Sequence, residues 1–219
     1  PDYPLFVSGL VAAGWRLAGD GATWVTAAVA LLFGGLAAAG VHASIAARRG
    51  RVAAAIAVLA LVGYRAFLNS TSSRYADVPL AALLVLTSGW LASAYERPAR
   101  ARSALALAGL CASLGAWTKN EGAVHVIAVG LVLLVRPPAG VRRVGALGSY
   151  LAGAGPFLAV LVAFKVGLAP TNDLVAGSSS ASAWARLADP SRYATIARHL
   201  FDEFSRTTFG SFLLPMTIA

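Results

Sequence analysis

Apolar runs alternate along the chain with short polar breaks, and the breaks are of two kinds. The runs fall at about 22–47, 52–68, 77–95, 103–118, 123–135 and 144–168, and another begins at 207–219. Runs of this length and apolarity predict transmembrane helices. Breaks 48–51, 96–102 and 136–143 are short and rich in arginine. Breaks 69–76, 119–122 and 169–206 instead carry Ser, Thr, Asn and acids. The pattern predicts an all-α, polytopic transmembrane helix bundle built as one domain. Pro1–Gly21 holds a shorter, Gly-broken apolar stretch, read as an interfacial helix. Within 169–206, Tyr193, Ile196, Leu200, Phe201 and Phe204 recur at helical spacing. That segment is expected to be an extracytoplasmic loop whose helix lies in the membrane interface or docks on the surface.

Composition agrees with the pattern. The chain is 58% hydrophobic, with a mean hydropathy of +0.71, and only 12% charged, against about 25% charged in soluble domains. The net charge of +9 is no nucleic-acid signal, because most Lys and Arg sit at the ends of apolar runs. Cys111, the single cysteine, lies in an apolar run and reads as a small core residue. The chain opens on Pro1 and ends inside an apolar run, so it is expected to be a piece of a longer membrane protein.

Charge then sets an orientation. The three arginine-rich breaks hold nine of the 18 Lys and Arg, and of the nine acids only Glu96 falls among them. By the positive-inside rule these breaks are cytoplasmic and the other three extracytoplasmic. Asp77 is expected to cap the helix that follows it, with Pro79 in the first turn, where its missing N–H costs nothing.

Length isolates one break. Runs 103–118 and 123–135 rise only about 24 and 20 Å as helices, against a hydrocarbon core of about 30 Å. With their arginines at the cytoplasmic surface, Lys119 and Glu121 lie recessed below the opposite one. Recessed charges are costly and mark functional positions. Arg65, Arg74 and Lys165 also fall on the face that the rule disfavours for cations. Lys165 suits snorkelling to headgroups; the group as a whole suits a lipid phosphate or pyrophosphate.

Three stretches carry a resemblance. Pro-Asp-Tyr-Pro-Leu (1–5), Tyr-Ala-Asp-Val-Pro-Leu-Ala (75–81) and Leu-Gly-Ala-Trp-Thr-Lys-Asn-Glu-Gly (114–122) stand in an order that resembles the polytopic GT-C glycosyltransferases. The nearest branch is that of the dolichyl-phosphate-mannose protein mannosyltransferases and the lipid A aminoarabinose transferase. The resemblance covers roughly residues 1–135. It implies an inverting transferase that takes a sugar from a polyprenyl-phosphate-linked donor and passes it, on the extracytoplasmic face of the cell membrane, to a lipid, glycan or protein acceptor. It implies an acidic general base upstream of residue 1, which leaves Asp2 as a neighbour of the site and a candidate catalytic residue.

Candidate roles follow from the chemistry of that transfer. A phosphate leaving group gathers negative charge, so fixed cations nearby favour the transition state. Lys119 is the first candidate, then Arg74, then Arg65. Asp77 and Glu121 are candidates to orient the acceptor, to hold those cations or to act as a base. Tyr3 and Tyr75 are candidates to stack on the sugar or donate to it. His42, His125 and His199 lack metal-ligand spacing. No metal site and no cofactor are expected, a divalent ion on Asp77 and Glu121 having thin support. The competing reading is a transporter or flippase of a lipid-linked or anionic substrate; a non-catalytic scaffold is the third.

Overall fold

The protein is described from a computed structural model, for residues 5–72, 76–168, 185 and 188–213. Among these residues regular structure is helical, with no strands. In order the helices are α1 (Phe6–Ala18), α2 (Thr23–Arg49), α3 (Arg51–Gly63), α4 (Arg65–Ser72), α5 (Asp77–Glu96), α6 (Ala101–Thr118), α7 (Asn120–Val135), α8 (Arg143–Gly167) and α9 (Pro190–Leu213). Length and apolarity mark α2, α5 and α8 as able to cross a membrane, and the α3–α4 pair also qualifies if counted as one span. The protein is an all-α, multi-pass membrane protein.

The arginine-rich breaks become tight turns at one end of the bundle, the basic end. Arg48 and Arg49 occupy the last turn of α2, where cations suit the helix dipole. Gly50, at φ 86°, then reverses the chain into α3, a conformation that glycine adopts without steric cost. At the same end the Arg48 Nε donates to Glu96 Oε1 at 2.6 Å. The Tyr95 hydroxyl donates to the Arg136 carbonyl.

The apolar run 52–68 was expected to form one continuous helix. It is two helices, α3 and α4, bent by 63°. Tyr64 between them is extended, at φ −78° and ψ 110°. Gly63 and Arg65 flank the break: the glycine weakens the helix and the arginine draws the chain toward water.

At the centre is α6, which packs most extensively against α8 and then α5. Its sequence is dominated by Ala and Gly, and eleven of its eighteen residues are buried. Apolar lipid gives helices no hydrophobic reason to associate, so close packing of small residues has to do it. A Cβ on Gly109 would overlap the Tyr150 carbonyl of α8, and one on Gly153 would overlap the Ala106 carbonyl of α6. The two helices therefore meet backbone to backbone. Tyr150, 1% exposed, reaches past this contact and donates to the Val126 carbonyl of α7 at 3.2 Å.

Two core clusters result. One, nearer the basic end, holds Leu105, Val129, Leu133 and Tyr150; the other, toward the opposite end, holds Phe33, Val78, Leu83 and Cys111. Beyond the bundle, α9 leaves Tyr193, Ile196, Leu200 and Phe201 exposed. Asp189 precedes it and accepts from the Ser191 hydroxyl at 2.7 Å and the Ser191 amide at 2.9 Å. Those bonds hold the Asp189 carboxyl below the usual range.

Candidate active site

Lys119 is the whole connection between α6 and α7. Its backbone is extended, at φ −155° and ψ 150°, and both its peptide groups are used. The amide donates to the Gly115 carbonyl at 3.1 Å, and the carbonyl accepts from the Gly122 amide at 2.9 Å. So tight a reversal presses α7 onto α6. A Cβ on Gly122 would overlap the Gly115 carbonyl group, so glycine at 122 is a steric requirement of the turn.

The turn points the Lys119 ammonium at two carboxylates. Nζ lies 2.7 Å from Asp77 Oδ1 and 3.6 Å from Glu121 Oε1. The lysine side chain is 22% exposed, and the acids are 59% and 62% exposed. The hydrogen bond that Lys119 donates to Asp77, with the negative charges of both acids, raises the Lys119 ammonium above the ordinary lysine value against the opposing effect of burial. The lysine is therefore a fixed cation with its charge secured at neutral pH.

Asp77 does not cap α5 as the sequence had suggested. It is the first helical residue, Ala76 occupies the cap position, and no side chain caps that end. The carboxylate turns outward to Lys119 instead, because an ammonium at hydrogen-bond distance is a stronger partner than a neutral amide. Pro79 does lie in the first turn and is buried.

Rings support the turn from one side. Trp117, two residues before Lys119, lies 5.4 Å from Phe6 of α1 and 5.9 Å from Phe157 of α8, centroid to centroid. Phe6 in turn meets Phe33 of α2 edge-on at 6.1 Å. From Phe33 back to Thr23, and from Phe157 on to Gly167, α2 and α8 each continue for ten residues, about 15 Å of helix. The level of Trp117 is thus well short of the ends of both helices.

A cavity of about 330 Å³ lies against the first turn of α5, next in sequence to Asp77. Its walls include Val7, Val11 and Trp15 of α1, Thr26 of α2 and Thr71 of α4. Val78 and Pro79 close it, and they belong to the first turn of the helix that Asp77 opens. The lining is mostly apolar, with hydroxyls from Thr26 and Thr71. Trp15 is set by its indole N–H, which donates to the Ala22 carbonyl at 3.1 Å.

The structure brings Asp77, Lys119 and Glu121 together. Arg65 opens α4, is exposed, and forms no ion pair among the described residues. Asp2, Tyr3, Arg74 and Tyr75 lie outside the described residues. The aromatic support of Phe6, Trp117 and Phe157 was not anticipated; Trp117, inside the 114–122 stretch, was its visible signal. Among the described residues no three His, Cys, Asp or Glu side chains gather as metal ligands. The ammonium of Lys119 already stands where a cation shared by Asp77 and Glu121 would sit.

A family model for dolichyl-phosphate-mannose-protein mannosyltransferase matches residues 2–165. No curated protein and no solved structure matched the chain. The family match takes in all three motif stretches except Pro1, and every helix from α1 to within the last turn of α8. On that match, and on helices able to cross a membrane, the chain belongs to the dolichyl-phosphate-mannose-protein mannosyltransferase family and is a membrane glycosyltransferase.

Proposed function

We propose that this chain carries part of the site that moves a sugar from a polyprenyl-phosphate-linked donor to a lipid, glycan or protein acceptor, with inversion, at the extracytoplasmic end of the bundle. The observation that carries the reading is the Lys119 ammonium, held at 2.7 Å by Asp77, whose neighbours Val78 and Pro79 wall a cavity at the end of the bundle away from the arginine-rich turns. The family match weighs against the transporter alternative.

The reaction breaks the bond between the sugar C1 and a phosphate oxygen and forms one between C1 and the acceptor oxygen. The acceptor proton goes to a carboxylate, and polyprenyl phosphate departs with the bonding electrons. Lys119 stabilises the charge gathering on that phosphate, and does so without reorganising, because Asp77 already fixes it. Glu121, held more loosely at 3.6 Å, is the acid left to orient the acceptor hydroxyl. Asp2, in the matched region, and an acid upstream remain candidates for the base. Arg74 and Arg65 would extend the phosphate contact, and Tyr3 and Tyr75 the sugar contact.

The test uses the full-length protein with polyprenyl-phosphate mannose and matched polyprenyl-phosphate hexoses. Lys119→Met keeps an apolar stem and removes the charge. Transfer should fall by about 10²–10³, the scale of one lost transition-state donor, with protein level unchanged. Lys119→Arg should recover part of it, since a planar fork replaces a compact charge. Near-normal transfer by Lys119→Met would sink the phosphate role.

A further inference from the structure

A second built feature lies at the basic end, far from Lys119. There α2 and α5 run parallel and cross closely at two glycines. A Cβ on Gly89 would sit 2.7 Å from the Ser44 hydroxyl, and one on Gly40 would sit 3.0 Å from Val85. Alongside this crossing the two helices line a groove of about 200 Å³. Its α2 side runs from Gly40 to Arg48, about 12 Å of helix. The inner part is apolar, with Ala43, Ala47 and Leu86; Trp90, 38% exposed, stands along it. The mouth is charged, formed by Arg48, Glu96 and Arg97.

The mouth is not electrically balanced. Glu96 pairs with Arg48 at 2.6 Å, and Arg48 also donates to the Ser44 carbonyl at 2.6 Å. Arg97 has no ion pair among the described residues. Its backbone is fixed, its amide donating to the Ser93 carbonyl at 3.0 Å, so the side chain starts from a set position at the groove mouth. A guanidinium presents a planar donor fork suited to phosphate oxygens. An apolar slot along two helices, an aromatic ring beside it and an unpaired guanidinium at its mouth match one kind of occupant: acyl chain within, phosphate outside.

We propose that the α2–α5 groove binds an anionic phospholipid from the leaflet at the basic end, its phosphate on Arg97 and an acyl chain along Leu86 and Trp90. Charge complementarity selects the anionic headgroup, since Glu96 at the mouth disfavours a second acid but Arg97 and Arg48 leave a net positive charge. The site is separate from the transfer chemistry and would act as an anchor for this corner of the bundle.

Quenching of tryptophan fluorescence by lipids brominated on the acyl chain tests the proposal on the full-length protein in detergent. Brominated phosphatidylglycerol should quench at lower concentration than brominated phosphatidylcholine, and Trp90→Phe should remove that difference. Arg97→Gln should weaken the phosphatidylglycerol effect by about tenfold, more than the roughly fivefold expected of one charge near an anionic surface. Arg100→Gln, outside the groove, is the control and should weaken it less. Equal losses in Arg97→Gln and Arg100→Gln would reduce the effect to diffuse surface potential and overturn the site. Equal quenching by the two lipids in the unmodified protein would overturn it as well.

Discussion

Asp77 and Lys119, 42 positions apart, meet at 2.7 Å because α5 and α6 are antiparallel neighbours. The α5 helix starts with Asp77 where the α6 helix gives way to Lys119. Each charge also suits its own helix end, an anion at the N-terminus of α5 and a cation at the C-terminus of α6. The pair therefore joins two dipole ends that would otherwise stand unneutralised side by side.

If Asp77 acts by holding Lys119, Asp77→Asn should slow transfer by about 10- to 100-fold, the worth of a hydrogen bond to a charged group. The acidic limb of the pH–rate profile should stay where it is, because the proton acceptor is a different group. A shift of that limb in Asp77→Asn would instead make Asp77 the base.

The same pair has a signature in alkali. The folded lysine is raised above its ordinary value, so the stability it lends is fully present below the unfolded value of about 10.4. It is lost as pH rises through the higher folded value. The difference in thermal stability between the unmodified protein and Lys119→Met should therefore shrink above about pH 10.4. With the acids largely exposed the difference should be small, under about 1 kcal/mol. A difference that grew with alkali would contradict the assignment.

Two glycines of one helix should answer oppositely to the same substitution. Gly153→Ala drives a methyl into the Ala106 carbonyl and should cost about 1–3 kcal/mol, the range for overpacking. Gly148→Ala meets nothing within 4 Å and should be neutral or stabilising by up to about 1 kcal/mol from helix propensity. Thermal unfolding in detergent compares them directly.

Orientation can be read with an impermeant thiol reagent on intact cells, after Cys111 is replaced by serine. A cysteine at Ser72 should label from outside, and one at Ala139, in the arginine-rich turn, should not. Labelling of Ala139 alone would invert the bundle and place the Lys119 turn in the cytoplasm.

Helix ends were legible in the sequence where chemistry marks them. Arg48, Gly50 and Arg51 announce one reversal, and Lys119 with Gly122 announces another. The bend at Tyr64 was hidden because Val52–Gly63 and Phe67–Leu68 read as one apolar run, although Gly63 and Arg65 were its signal. Small residues were a partial guide. Gly145, Ser149 and Gly153 look like one packing stripe, yet of its two glycines only Gly153 closely approaches the backbone of a neighbouring helix. Its counterpart, Gly109, sits on a helix with small residues on every face, so no stripe stands out. The capping role assigned to Asp77 failed for a related reason. A local pattern cannot register a lysine that arrives through tertiary packing.

The bend at Tyr64 leaves α3 with thirteen residues, about 20 Å of helix, on a flank where the surrounding hydrocarbon is about 30 Å thick. α4, turned by 63°, does not extend α3 along its axis. Thinning of the bilayer is one response to such a short helix, beside snorkelling and oligomerisation, at a cost of fractions of a kcal/mol per Å. Thinning there would draw headgroups beside α3 and α4 inward, toward the cavity wall that Thr71 provides. A lipid approaching from such a dimple would keep its headgroup in the polar layer.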